Sequence, residues 1–258
     1  MKVHVVNPHL GFGNIVMKLC DFIRKAGPEE GYVDENLKDF CRGRAFNFNV
    51  KFIKGLEATM DGDIYCNETV YKRLSSALPI LMPPSQELVD AFNAKAHLLE
   101  GVSLGIHVRC GSAMPDCKGL SLSHVWFASE ETFKTLRMII YSCRSRVFLA
   151  SDSKEVKKMF MREFGDKIVT FDSDITLSCE PKTCGGVEQS SKSLMDTYLE
   201  WFTLSKFPDV VTTAGPEYNP QTHEGVGVST FGFTAAAYGQ KTLYIVFYTG
   251  HVVAFTSE

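Results

Sequence analysis

Val102-Ser103-Leu104-Gly105-Ile106-His107-Val108-Arg109-Cys110-Gly111-Ser112 is the stretch that decides the fold of this chain. Residues 102 to 108 form an apolar run of the kind that parallel sheets bury on both faces. The run ends in an arginine followed by small residues, where a strand gives way to a loop. Downstream, helices and strands alternate. Thr132 to Tyr141 reads as a helix and Arg146 to Ala150 as the next strand. Ser151-Asp152-Ser153 can cap a helix running through Glu155 to Phe164, and Lys167 to Phe171 is another strand. Ser190 to Ser205 is helical in pattern, with Leu194, Tyr198, Phe202 and Ser205 on one face. Val210 to Thr213 is a strand, Thr230 to Tyr238 a helix, and Leu243 to Phe247 a strand. The apolar stretch to Phe255 is broken at Thr249-Gly250-His251 and so reads as two strands. This alternation predicts a parallel sheet with right-handed crossovers.

Toward the amino terminus, Val3-His4-Val5-Val6 is a short strand. Gly11-Phe12-Gly13-Asn14 follows it as a glycine-rich turn, and Ile15, Val16, Leu19, Phe22 and Ile23 then recur at helical spacing. Between Gly27 and Pro84 the pattern weakens, with strands expected at Phe46 to Ile53 and Ile64 to Cys66. Pro83-Pro84-Ser85 starts a helix through about Leu98, with proline near the first turn. It also marks the expected division into units of residues 1–95 and 96–258.

Composition narrows the function. The 258 residues are 45% hydrophobic and 22% charged, ordinary for a globular protein, and the net charge of −3 points to no nucleic-acid partner. No apolar run reaches the roughly 18 residues of a membrane span, and the first residues do not read as a signal peptide. The expectation is a cytoplasmic chain whose eight cysteines are thiols and whose sequon, Asn67-Glu68-Thr69, goes unused. Cys110/Cys117 and Cys179/Cys184 lack zinc-ligand spacing, so no metal site is expected.

Three strand ends carry the chemistry. Ligands of open α/β sheets bind at the carboxyl ends of strands. There Arg109 offers a rigid fork of donors suited to a phosphate, or alternatively to a salt bridge with a neighbouring loop. Gly227-Val228-Ser229-Thr230-Phe231-Gly232 leads through two hydroxyls into a helix, which makes either an anion site or a plain helix cap. Asp152, at the end of Phe148-Leu149-Ala150-Ser151, could accept hydrogen bonds from a nucleoside or cap the helix that follows.

Taken in order, His107-x-Arg109, Leu149-Ala150-Ser151-Asp152 and Ser229-Thr230-Phe231-Gly232 resemble the fucosyltransferases. These include the plant xyloglucan, bacterial nodulation-factor, core α1,6- and protein O-fucosyltransferases. The stretch Lys192 to Leu199, then Val210-Val211-Thr212-Thr213, then Ser229 to Phe233 is similar to the plant-type pattern. The glycine loop at Gly11 to Asn14 is similar to the amino-terminal loop of the same families. The resemblance implies an α/β, GT-B-like fold of two Rossmann-type parallel-sheet domains facing a cleft. Residues 1–95 would be the acceptor-side domain and 96–258 the nucleotide-sugar-binding domain. It further implies inverting transfer of a sugar, fucose from GDP-fucose, to a glycan or glycoprotein hydroxyl, with no metal or other cofactor. By position, His107 and Asp152 would meet the nucleoside and Arg109 the β-phosphate, while Ser229, Thr230 and Phe231 would hold the diphosphate. Gly13 would line the donor site and Asn14 would face the sugar or acceptor. Asp116, shortly after Arg109, would be the base, with Asp34, Glu35 and Glu224 as alternatives.

The chain departs from these relatives in Cys110-Gly111-Ser112, where an arginine or aspartate often stands, and in a longer loop from Gly215 to Val228. Other donors (UDP-xylose or a rhamnose nucleotide) and a catalytically silent nucleotide- or glycan-binding module are the competing readings. Asp61-Gly62-Asp63 and Asp172-Ser173-Asp174 would suit a metal-dependent transferase, but such pairs are also ordinary turn sequences. Gly11-Phe12-Gly13 lacks the third glycine of a dehydrogenase fingerprint, and no hydrolase elbow is present.

Overall fold

The structure, a computed structural model, describes residues 66–110, 128–173, 191–215 and 227–257, together with Val16, Tyr32–Asp34, Phe46 and Lys51–Ile53. The expected strand at residues 3–6 and the glycine loop at 11–14 lie outside the described residues. Of the helix expected to follow, only Val16 is described; it is helical and buried.

Eight strands and six α-helices are described. Strands β1 (Tyr32–Asp34) and β2 (Lys51–Ile53) pair in parallel. The other six make one sheet: β3 (Val102–Val108), β4 (Arg146–Ser151), β5 (Ile168–Val169), β6 (Asp209–Thr213), β7 (Thr242–Val246) and β8 (Val252–Phe255). Their spatial order is β5-β4-β3-β6-β7-β8, all parallel except β8. The run read at 102–108 is the third strand across the sheet, with parallel neighbours on both sides. That placement is why Ile106 and Val108 are wholly buried. Chain order runs outward from β3 in one direction to β5, then returns to β6 and runs outward in the other. This is the doubly wound arrangement, whose topological switch point lies between β3 and β6.

Helices cover both faces. On one side α3 (Glu130–Ser142) and α4 (Lys154–Phe164) bury Leu136, Ile140, Val156 and Phe160 against Leu104, Ile106, Val108, Val147 and Leu149. On the other, α1 (Glu68–Leu81), α2 (Gln86–Lys95), α5 (Ser191–Leu204) and α6 (Thr230–Gly239) enclose a core centred on Trp201, Phe148, Phe233 and Tyr238. Trp201 is fully buried and donates its Nε1–H to Thr234 Oγ1 at 3.0 Å. Phe46 reaches this core edge-on to Trp201, with ring centroids 5.4 Å apart.

Serines and an asparagine start the helices as their positions suggest. Asn67, Ser85, Ser129 and Ser153 each accept from a first-turn amide. The side chain of Asn67, the first residue of the sequon, caps α1 by accepting from the Val70 N–H at 2.9 Å.

The six-stranded sheet follows the sequence reading to within two residues at most of its element ends. Two differences stand out. Cys66 belongs to no strand and precedes α1, a helix the sequence reading did not predict. The helix is hidden by Pro79, which lacks the N–H that would bond to the Ser75 carbonyl. Tertiary structure supplies the missing donor: Gln240 Nε2 donates to Ser75 O at 3.1 Å. Tyr71, Leu74, Ser75 and Leu78 keep α1 against α6 with their helical spacing. The second difference is the helix expected through Leu98, which ends at Lys95 and tightens into a 3₁₀ turn over Ala96–Leu99.

Candidate functional site

The carboxyl ends of β3 and β6 meet at the switch point, and the register decides what stands there. His107 is paired with Thr212 across the β3–β6 ladder and with Ala150 across β3–β4. Beyond His107, the backbone N–H of Arg109 donates to Thr213 Oγ1 at 3.0 Å. The start of α6 is brought to the same place by its loop. An antiparallel bridge joins Ala214 to Val228, and the Gly215 N–H donates to Gly227 O, so the stems of the 215–228 loop run side by side. The Ser229 N–H then donates to Thr213 O at 2.9 Å.

Gly232 is what lets α6 sit this close. A β-carbon there would lie 2.7 Å from Thr212 Cβ and 3.1 Å from His107 Cβ, so only glycine fits. Phe231 packs its ring on the His107 imidazole, with centroids 4.8 Å apart.

Ser229 occupies the N-cap position of α6, but its side chain makes no cap hydrogen bond. Its hydroxyl lies 3.2 Å from His107 Nδ1 instead, and Thr212 Oγ1 lies 3.4 Å from the same nitrogen. Of the two readings of this serine, the plain cap is therefore not the one adopted. A helix start without a side-chain cap, aimed out of the end of a sheet, is suited by dipole and geometry to an anion.

The second half of the site is an ion pair. Arg109 Nη1 lies 2.9 Å from Asp152 Oδ2; the Asp152 side chain is 4% exposed and that of Arg109 31%. The other carboxylate oxygen accepts from the Cys110 N–H at 2.8 Å. Asp152 does not cap α4, a role that Ser153 fills by accepting from Val156 N. Arg109 is thus both salt-bridged and partly open to solvent, with donors left over.

Three sequence-predicted positions, His107, Arg109 and Asp152, are brought together with Ser229, Thr230 and Phe231 at one end of the sheet. Asp116, Asn14 and Gly13 lie outside the described residues, as do Glu35 and Glu224. Thr212 and Thr213, quoted only as part of a pattern, are the pieces the sequence reading missed. Two hydroxyls in succession at the end of a buried strand were the available signal, since such groups need partners where the sheet runs out. Among the described residues no group of three or more His, Cys, Asp or Glu side chains converges, and no helix is long and apolar enough to cross a membrane.

No protein-family model matches the chain, and no curated protein matches it in sequence. Solved structures do match in shape. NodZ α-1,6-fucosyltransferase co-crystallised with GDP superposes with a TM-score of 0.55 at 13% identity, over 99% of this chain and 99% of that one. The selenomethionine form of NodZ from Bradyrhizobium gives 0.54 at 13% identity, and NodZ soaked with GDP-fucose gives 0.53 at 13%, each covering all of both chains. This chain has the NodZ fold. The α/β, GT-B-like class implied by the fucosyltransferase resemblance is the class observed. At 13% identity the NodZ fold is carried by packing pattern and topology, as expected when cores keep their volume while residues change.

Electrostatics distinguish His107 from ordinary surface groups. Burial, then the nearby charges of Arg109 and Lys157, push the His107 imidazole down from 6.5 to about 3. His107 is therefore neutral in the folded protein. Unfolding releases it to its ordinary pKa, so its contribution to stability is complete above pH 6.5 and is lost as pH falls toward 3. At pH 5 the loss is about 2 kcal/mol. Urea unfolding at pH 7.5 and 5.0 checks this. His107→Gln, which cannot protonate, is expected to lose about 2 kcal/mol less than the wild-type chain over that interval. Equal losses would show that the folded site lets the ring protonate.

Proposed function

We propose that the chain is an inverting glycosyltransferase that moves fucose from GDP-fucose to a glycan hydroxyl. The observation that carries the reading is the joint placement of Arg109 and the start of α6 at the switch point of a NodZ-like fold. The solved NodZ structures it resembles were obtained with GDP and GDP-fucose.

In this reading, the bond between the sugar's anomeric carbon and the β-phosphate oxygen breaks as the acceptor oxygen attacks from the opposite face. Negative charge grows on the departing diphosphate. The guanidinium of Arg109 and the amides at the start of α6 are fixed before the reaction begins. They stabilise that charge more strongly in the transition state than in the bound donor. The proton leaving the acceptor hydroxyl goes to a carboxylate, for which Asp116 is the assigned base. His107 borders the nucleoside side, Arg109 with its partner Asp152 and Ser229, Thr230 and Phe231 the diphosphate, Gly13 the donor and Asn14 the sugar or acceptor. The division of labour follows the two units, 1–95 for the acceptor and 96–258 for the nucleotide. No step needs a metal ion, because the charge that a metal would neutralise falls to Arg109 and the helix start.

Calorimetric titration with GDP, UDP and dTDP, on the wild-type chain and on Arg109→Ala, tests the donor site. The expected result is preferential GDP binding, weakened 10- to 100-fold by the substitution because a charge-assisted hydrogen bond is lost. Preference for UDP or dTDP would keep the transferase and reassign its donor. No binding by any of the three would overturn the reading.

A further inference from the structure

We propose that Asp152 is a positioning residue for Arg109, setting the direction in which the guanidinium fork leaves the sheet. The inference rests on the donor-site reading above only for the identity of the ligand, a nucleoside diphosphate. The carboxylate uses its two oxygens on two consecutive residues of the β3 exit. Oδ2 lies 2.9 Å from Arg109 Nη1, and Oδ1 accepts from the Cys110 N–H at 2.8 Å. Asp152 is itself held in place. Ser151 Oγ donates to Val108 O at 2.8 Å, which ties the end of β4 to the end of β3, and accepts from the Ser153 N–H at 3.1 Å, which closes a turn around the aspartate. The Arg109 backbone is fixed from the opposite strand by Thr213 Oγ1 at 3.0 Å.

The result is an arginine anchored at its backbone, at one guanidinium nitrogen and at the peptide that follows it. Its side chain remains 31% exposed. One carboxylate contact leaves most of its five N–H donors unspent. A free arginine side chain loses rotamer freedom when it takes hold of a diphosphate, and a pinned one has lost it beforehand. Asp152 thus acts on the ligand through Arg109, and its effect follows the phosphates rather than the nucleoside.

The test compares wild-type, Asp152→Ala, Arg109→Ala and the double variant. Calorimetry measures GDP and guanosine, and NMR of the arginine side chains measures guanidinium rotation without any ligand. Asp152→Ala is expected to weaken GDP about 10-fold. It should leave guanosine affinity unchanged and add nothing in the Arg109→Ala background. In the ligand-free chain, the Arg109 guanidinium is expected to rotate slowly in the wild type and freely in Asp152→Ala. Asp152→Asn, which keeps one acceptor for the Cys110 N–H, guards against a folding defect. It should fold like the wild type and still free the guanidinium. Equal loss of guanosine and GDP, additive losses in the double variant, or a guanidinium that rotates freely in the wild type would each overturn the proposal. Slow rotation in a wild-type chain that binds no GDP would instead uphold the positioning and overturn the donor reading alone.

Discussion

Replacing Lys157 by methionine is expected to cost about 3–5 kcal/mol, a large part of what holds a domain of this size together. Lys157 on α4 and Glu200 on α5 form an ion pair 2.5 Å apart, with side chains 9% and 0% exposed. Lys157 Nζ also donates to Phe171 O at 3.3 Å, so the ammonium ties α4, α5 and the segment after β5 together. Removing it leaves a carboxylate in a fully buried site, where burial already holds the Glu200 carboxyl above its ordinary value against the pull of Lys157. The sign of the pH dependence follows. A raised carboxyl favours the folded state at low pH and loses that advantage as pH rises past the unfolded value. The deficit of Lys157→Met relative to wild type should therefore shrink as pH is lowered from 7.5 to 5. Pairing it with Glu200→Leu removes the stranded charge, and the double variant should recover most of the loss. Urea unfolding of the four chains measures both effects. A single-variant cost below about 1 kcal/mol would mean that water reaches the pair.

Gly232→Ala is expected to disrupt the molecule locally and at the candidate site together. The new methyl would overlap Thr212 Cβ, 2.7 Å away, and press on His107 Cβ at 3.1 Å. Both are β-carbons held by paired strands, so neither can swing aside. Helix α6 would have to back away, although every residue from Gly232 to Tyr238 is buried on it. The expected cost is about 3 kcal/mol, toward the upper end for overpacking a core. Because Ser229 rides on the same helix start, GDP affinity should fall further than the loss of folded protein explains. Calorimetry on the folded fraction separates the two. Wild-type stability in Gly232→Ala would show that α6 does not pack as described.

The sequence carried the sheet. Residues 102–108, 146–151 and 209–213 are apolar runs bounded by polar or small residues, and a strand buried on both faces admits little else. The helices between them announced themselves by spacing, and α4 also by the Ser151-Asp152-Ser153 stretch at its start, whereas the Ser129 cap of α3 emerged only in the structure. Arg109 and Ser229 were legible as candidate site residues because each stands where a strand or loop ends at the carboxyl edge of the sheet. Helix α1 was not legible. Pro79 breaks its hydrogen-bond pattern, and the donor that repairs it comes from Gln240, distant in sequence and adjacent only in the folded chain.

Only the tertiary structure decided what the site residues do to one another. Nothing local to Asp152 distinguishes a nucleoside contact, a helix cap and an arginine partner, because all three ask for the same carboxylate at the end of β4. The β3–β4 register adds what the sequence could not, by bringing Cys110 N and Arg109 within reach of the carboxylate. The same holds for Lys157 and Glu200, which are unremarkable charged residues on two amphipathic helices until packing removes their water. Local sequence determined which segments are strands and helices, since that choice is made by periodicity and caps within a few residues. Hydrogen bonds and charges between segments were left to the fold, because their energies depend on distance and burial that no single stretch of chain contains.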